Sequence, residues 1–190
     1  MQRSSPPQDY GTPAVNPAPG QGNWAYYPQP YADTVHPWNR RVAVAYIKGG
    51  PLAPQISGVV WFWDVPRGTC VYAYITGLPP YQPATDGEDP IGPHGFHIHE
   101  NGSCDVGDPE DPFQAAGEHW NPTNQPHGNH AGDLPVLFSH NGIAEMQFIT
   151  GTFKVEEVIG KAVIIHQNPD DYRTQPAGDA GKRLACGVIQ

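Results

Sequence analysis

Short apolar runs that alternate with polar residues recur along the chain from residue 41 onward. They are separated by Gly, Pro, Asn and Asp, and no window of about 11 residues or more shows a convincing 3.6-residue apolar period. The pattern predicts strands over residues 41–48, 57–65, 69–78, 94–100, 143–153, 161–167 and 184–189. Strands at this spacing favour an all-β fold, either an antiparallel sandwich or a barrel.

Two connections in this pattern are longer than ordinary loops. They cover residues 101–133 and 168–183, and each follows a predicted strand that contains histidine. Connections of this length inside a compact domain are commonly functional. We therefore expect binding or catalytic residues in both.

One predicted strand is apolar on both of its faces. It contains the run Val59, Val60, Trp61, Phe62 and Trp63. One face packs on the core, so the other must meet a second surface. A subunit interface, and hence a homodimer, is one interpretation; cover by the N-terminal segment or by a loop is the other. The pattern alone does not choose between them.

Residues 1–40 have a different composition from the rest. They contain eight Pro, four Tyr and four charged residues, with no apolar periodicity. This composition predicts a poorly ordered Pro/Tyr-rich tail, followed by a β-barrel domain over residues 41–190. The tail is interpreted either as a tether or surface-binding strap, or as an extension without a binding role.

Charge and composition narrow the class of partner. The chain has 190 residues, 10 basic against 19 acidic, and a net charge of −9, which argues against nucleic acid or an anionic membrane as a bulk partner. No run of about 18 apolar residues is present, so we expect no transmembrane segment. No secretory leader is visible at the N-terminus, so the default expectation is the cytoplasm, with an extracytoplasmic or cell-surface location as the alternative.

Histidines are concentrated between residues 93 and 133. His97 and His99 are two residues apart in a predicted strand, so both imidazoles project from one face and can reach one metal ion. The same segment also supplies further nitrogen and oxygen donors suited to zinc or copper: His119, His127, His130 and Asp133. Two metal subsites are therefore predicted within this segment.

Five segments share a specific pattern once His166 is included. They are GFHIHE (95–100), GEHWNP (117–122), HAGDL (130–134), VIIHQNPDD (163–171) and AGKRLACGVI (180–189). In this order they resemble the copper/zinc superoxide dismutase family over about residues 41–190. The resemblance implies an immunoglobulin-like Greek-key barrel or sandwich with two long functional loops. It also implies an antioxidant oxidoreductase that disproportionates superoxide to dioxygen and hydrogen peroxide.

The resemblance implies one copper and one zinc ion per subunit. Copper would be bound by His97, His99, His119 and His166, and zinc by His119, His127, His130 and Asp133. His119 would thus bridge the two ions and carry a proton during turnover. Copper cycles between oxidation states, whereas redox-silent zinc holds the bridge and the loop in place.

Further roles follow from the resemblance alone. Asp170 would link His97 and His127 through their second ring nitrogens, while Asp171 is assigned to a solvated turn. Arg183 would attract and orient superoxide. A disulfide would join Cys104 to Cys186, which leaves Cys70 as a buried apolar side chain or a reactive thiol.

Two departures from the family pattern concern the loops. His127 and His130 are only three residues apart, where familiar members carry a longer insertion, so zinc geometry is less strongly predicted than copper geometry. The segment 167–182 is also short and has a net charge of −1, from three aspartates against Arg173 and Lys182. We expect electrostatic guidance of the substrate by this segment to be weak.

Two rival functions remain at the level of sequence. A non-enzymatic member of the same fold would use zinc as a structural clip, or would hold copper without turnover. An interaction protein would use the aromatic tail for binding and the barrel as a platform. Retention of all four copper-type histidines together with Arg183 favours the enzyme over a copper-free relative.

Overall fold

The described part of the computed structural model, residues 41–190, is built from seven strands. The strands are β1 (Val42–Gly49), β2 (Ser57–Val65), β3 (Gly68–Thr76), β4 (Phe96–His99), β5 (Ala144–Thr150), β6 (Ala162–His166) and β7 (Arg183–Val188). Helical structure in this part is limited to a 3-10 turn at Gln114–Ala116 and a single-turn helix, α1, at Val155–Val158. The all-β prediction is confirmed. The tail predicted over residues 1–40 lies outside the described residues.

The strands form one sheet in the order β4-β6-β7-β1-β2-β3-β5, and every pair is antiparallel. β3 and β4 follow one another in the chain but lie near opposite ends of this order. The connection from β5 to β6 returns the chain to the β4 side. These two crossings between distant strands are the Greek-key feature that was predicted.

The sheet curls around a single main core. Alternate residues of β1 to β3 point inward, among them Ile47, Phe62 and Ile75, and all are almost fully buried. Phe96 of β4 and Ile165 of β6 join the same cluster from the other end of the sheet. Burial of apolar area at about 25 cal/mol per Å² makes this core the main source of folding free energy.

Both faces of β4 are buried, as are those of its neighbour β6. One edge pairs with β6, and the long loop that follows β4 covers the other. Isolated bridges join His97 to Asp133 and His99 to His119 on that edge. The loop therefore brings two of its own polar residues opposite two histidines of β4.

A smaller apolar cluster lies beneath the first half of this loop. Phe113 packs there with Ile164 and Cys186, and a disulfide joins Cys104 to Cys186, as the family resemblance implied. The free thiol of Cys70, on β3, is buried, and burial raises its pKa. It is thus a small apolar side chain in this fold.

The outer face of β1, β2, β3 and β5 carries apolar side chains that the described loops leave exposed. Tyr46 is 55% exposed, Trp61 38% and Ile149 62%. The alternative interpretation, in which the N-terminal segment covers this face, concerns residues 1–40, which lie outside the described residues. None of the helices in the described part is long and apolar enough to cross a membrane.

Candidate metal centre

Six histidines and one aspartate converge at one side of β4. They form two groups that share one residue: His97, His99, His119 and His166 in the first, and His119, His127, His130 and Asp133 in the second. Within each group the ligand atoms all lie within 4.8 Å of one another. These are the two sets that the family resemblance implied for copper and zinc, and the structure brings all seven side chains together.

Strand pairing explains how residues so distant in sequence meet. His97 and His99 project from the same face of β4, and His166 ends the neighbouring strand β6 at a register shift. The bridges to β4 then place Asp133 opposite His97 and His119 opposite His99. Positions that belong to rigid strands hold a site more closely than free loop positions.

The hydrogen-bond partners of His99 and His166 fix where their protons lie. His99 Nδ1 is 2.9 Å from the carbonyl oxygen of Gly117, and His166 Nδ1 is 3.3 Å from that of Gly181. A carbonyl only accepts, so both Nδ1 atoms carry the hydrogen. The two Nε2 atoms, 3.3 Å apart, therefore face each other with bare lone pairs. Such a contact is repulsive unless a cation lies between them.

His97 and His119 each add a nitrogen to the same group. His97 Nε2 donates to Asp170 at 2.8 Å, which leaves Nδ1 as a bare lone pair. His97 Nδ1 and His119 Nε2 are buried and have no hydrogen-bond partner among the described residues. Buried polar atoms without partners are rare in native proteins. Four ring nitrogens thus offer lone pairs to a single point.

The second group has the same character with one carboxylate. His127 Nδ1 and His130 Nδ1 lie 3.3 Å from the oxygens of Asp133 and are otherwise unpartnered within the described chain. His119 Nδ1 is 3.0 Å from Asp133 Oδ1. Three imidazoles and one carboxylate complete a closed four-coordinate set, the usual form of a structural zinc site.

Asp170 links the two groups through hydrogen bonds to one histidine of each. Its Oδ2 accepts from His97 Nε2 and its Oδ1 from His127 Nε2, both at 2.8 Å. Burial alone would raise the pKa of Asp170, but the hydrogen bonds from these rings and from the Tyr172 N–H more than offset it, so the pKa is lowered. The carboxylate therefore stays charged and fixes the tautomer of one ring in each group.

Burial also sets the charge of three of these histidines. It lowers the pKa of His97 to about 4, and lowers the pKa of His99 and His166 well below the ordinary value of 6.5. For Asp133, burial would raise the pKa, but hydrogen bonds from His119 and from the backbone of His130 lower it strongly. Neutral imidazoles and an ionised carboxylate are the forms in which these side chains bind metal.

Arg183 lies beside the first group and is held by backbone oxygens. Its Nη1 donates to Phe113 at 2.7 Å and its Nη2 to Gly117 at 2.8 Å. Gly117 therefore holds both His99 and Arg183 through one carbonyl, and its φ of 76° is a conformation that favours glycine. Lys182 points elsewhere, since its Nζ binds the Glu110 carbonyl at 3.0 Å and lies 3.9 Å from Asp111.

The donor set fits one copper and one zinc ion. Two groups of nitrogen donors with no thiolate suit copper and zinc, and the unpartnered lone pairs are those that a bound cation would satisfy. The short linker between His127 and His130 does not separate them, because both reach Asp133. His94 stands apart from both groups; its Nδ1 binds the His166 carbonyl at 2.8 Å.

Three contributors to the site carried no clear signal in the sequence. Gly117 acts through its carbonyl, which a residue type does not reveal, although it stands directly before the Glu118–His119 pair. Tyr172 and Gln175 reach from the connection between β6 and β7 to the loop that holds the second group. Only Asp170, two residues before Tyr172, was marked by a motif.

Comparison with known proteins gives a consistent result. The family model described as copper/zinc superoxide dismutase matches residues 56–189. A superoxide dismutase [Cu-Zn] of Deinococcus radiodurans is 35% identical over 153 residues, which cover 72% of this chain and 78% of that protein. One of Legionella pneumophila is 36% identical over 145 residues, which cover 72% and 80%.

A solved structure shares the fold. The copper/zinc superoxide dismutase from Brucella abortus aligns with a TM-score of 0.65 and 28% identity, over 79% of this chain and all of that one. Residues 56–189, which the family model matches, contain the seven converging side chains as well as Arg183 and the disulfide. The chain belongs to the copper/zinc superoxide dismutase family.

Proposed function

We propose that this chain is a superoxide dismutase, in which two superoxide ions and two protons give one dioxygen and one hydrogen peroxide. The observation that carries the proposal is the set of four buried histidines with bare nitrogens beside an arginine held by carbonyls. The chain would hold copper through His97, His99, His119 and His166, and zinc through His119, His127, His130 and Asp133. When bound, copper supplies one-electron redox chemistry, and zinc supplies fixed positive charge without redox chemistry.

His119 has the geometry of a proton-holding residue. Its two ring nitrogens face different groups. Nδ1 lies against Asp133 of the second group, and Nε2 points to the first group and has no hydrogen-bond partner among the described residues. A proton held at Nε2 would be buried next to the reacting anion and available to it. Asp133 would meanwhile keep the ring in place through Nδ1.

Arg183 would bind and orient the superoxide anion. Its two backbone hydrogen bonds leave a planar cation at a fixed place in a protein of net charge −9. A fixed local cation raises the arrival rate of a small anion even on an acidic protein. Lys182 is not available for this role, because Asp111 and the Glu110 carbonyl hold its ammonium group.

The principal rival is a copper-holding or zinc-stabilised protein without turnover. Substitution His166→Ala, assayed as decay of superoxide on the metal-loaded protein, tests the enzyme directly. We expect activity to be lost, with His140→Ala unchanged because His140 lies in an exposed turn away from both groups. Equal activity of wild type and His166→Ala would contradict the proposed copper site.

We further propose that the protein forms a homodimer. The supporting observation is the exposed apolar side chains on the outer face of β1 to β3, among them Tyr46, Trp61 and Tyr74. Sedimentation should give twice the monomer mass for wild type and the monomer mass for Trp61→Glu. Tyr81→Glu, which changes an exposed ring in the connection between β3 and β4, is the matched control. A wild-type monomer would contradict this proposal.

A further inference from the structure

The side chain of Gln175 closes onto the backbone of His127. Its Oε1 accepts from the His127 N–H at 2.8 Å, and its Nε2 donates to the His127 carbonyl at 3.2 Å. These are the only hydrogen bonds of the His127 backbone among the described residues. One side-chain amide thus plays the part that a neighbouring strand plays in a sheet.

The connection between β6 and β7 thereby holds both the backbone and the ring of His127. Gln175 holds its backbone, and Asp170, five residues earlier, accepts from its ring Nε2 at 2.8 Å. The one remaining polar atom of the residue is Nδ1, which lies 3.3 Å from Asp133 in the second group. With backbone and ring both held, the direction of the Nδ1 lone pair is set.

Other contacts keep the two segments in register. The Tyr172 hydroxyl accepts from the Val136 N–H at 2.8 Å. The Tyr172 carbonyl lies so close to Gly128 that a Cβ there would meet it at 2.3 Å, and Gly128 has a φ of +88°. The backbones on either side of His127 and Gln175 are therefore adjacent, which keeps the amide of Gln175 within reach.

The short linker explains why an external hold is needed. Only Gly128 and Asn129 separate His127 from His130, and Gly128 adopts a left-handed conformation. This two-residue linker forms no ladder of hydrogen bonds that would orient His127. Support for His127 has to come from another segment, and Gln175 provides it.

We propose that Gln175 is a positioning residue for His127 and that it raises the affinity of the second group for zinc. The inference rests on the proposed zinc site and names a residue that acts on it through the backbone of a ligand. Residues outside the ligand set that orient ligands commonly change metal affinity about 10- to 100-fold. Because Gln175 itself is exposed, its replacement opens no cavity in the core.

The test compares zinc affinity of full-length metal-free variants by competition with a chromogenic chelator. Gln175→Met keeps the length of the side chain and loses both hydrogen bonds to His127, together with the one from Nε2 to the Arg173 carbonyl. We expect about tenfold weaker zinc binding. Thr174→Val is the control, because the Thr174 hydroxyl binds only Asp171 of its own segment, and we expect no change. Cobalt(II) as a coloured stand-in for zinc should show an altered visible spectrum in Gln175→Met alone.

Three outcomes are distinct. Wild type that binds zinc tightly, with Gln175→Met about tenfold weaker and unchanged in the thermal unfolding of its metal-free form, supports the positioning role. Wild type and Gln175→Met within twofold of each other would overturn it while leaving the zinc site intact. Wild type that binds no zinc would overturn both. If Gln175→Met does not fold, Gln175→Asn, whose shorter amide cannot reach both backbone groups, is measured with the same expectation.

Discussion

Asp170 lies outside both proposed metal groups and hydrogen-bonds to one histidine of each. Its two carboxylate oxygens accept from His97 and His127, so Asp170→Asn replaces one acceptor oxygen by an amide that opposes a ring N–H. We expect zinc affinity to fall about 10- to 100-fold and superoxide decay to slow. Chelator competition and stopped-flow absorbance measure the two effects.

The neighbouring carboxylate offers a matched control. Asp171 accepts only from Arg173 and Thr174 of its own turn, and it is exposed. Asp171→Asn should therefore leave zinc affinity unchanged. If both variants lost zinc affinity equally, the effect would lie in the turn and not in the link between the two rings.

Substitution of Arg183 by lysine tests the position of the cation separately from its charge. Arg183→Lys keeps the charge but cannot make the two hydrogen bonds to Phe113 and Gly117 with the same planar group. We expect superoxide decay to slow about tenfold, while its dependence on ionic strength, which reports the retained charge, stays the same. An unchanged rate would show that fixation by these carbonyls is unimportant to the reaction.

Side-chain chemistry at the site was largely predictable, and backbone chemistry was not. The seven converging side chains are of residue types that bind metal, and the spacing of His97 and His99 already implied a shared face. Gly117 and Gln175 act on backbone groups or through them, and their partners are chosen by loop geometry. A residue type alone carries no information about such contacts.

At the scale of elements, the disulfide ties the loop after β4 to the last strand, β7. Its two cysteines are separated by 82 residues. On the chain-entropy model, closing a loop of that length stabilises the fold by about 4–5 kcal/mol. Cys104→Ser with Cys186→Ser should lower the free energy of unfolding by about that amount, as measured by urea unfolding.

The third cysteine, Cys70, provides the control for this prediction. Cys70→Ser changes a buried thiol that closes no loop, so it should cost far less than the double variant. A loss for the double variant no larger than that for Cys70→Ser would contradict the chain-entropy argument.

Strands β1, β2, β3 and β5 were predictable because they alternate between core and exterior, whereas β4 and β6 are buried on both faces and were predicted as short β-rich runs bounded by Gly and Pro. The predicted span 57–65 coincides with β2, whereas the span 143–153 extends past β5, which ends at Thr150. Phe153 extended the predicted span for a different reason, since it packs against Phe62 in the core. The pairing of the loop with β4 had no sequence pattern, because isolated bridges need no alternation.

For the whole molecule, buried neutral histidines make metal-free stability depend on pH. In the unfolded chain His97, His99 and His166 titrate near pH 6.5, whereas in the fold their pKa is lowered, for His97 to about 4. Above pH 6.5 both states are neutral. As the pH falls below 6.5 the unfolded state takes up protons first, so stability is lost.

Urea unfolding of the metal-free protein measures this loss. Each such histidine contributes up to about 1.4 kcal/mol per pH unit, so the free energy of unfolding should be about 2–4 kcal/mol lower at pH 5.5 than at pH 7.5. Equal or greater stability at pH 5.5 would mean that the three rings are not held neutral in the fold.

Superoxide decay by stopped flow on metal-free, zinc-loaded and copper-and-zinc-loaded protein tests the proposed dismutase activity most directly. We expect fast decay only in the form that holds copper, because the four bare nitrogens beside Arg183 form the only group in the described chain suited to the redox ion. No decay with copper shown to be bound would contradict it and would favour a copper-holding or zinc-stabilised protein of the same fold.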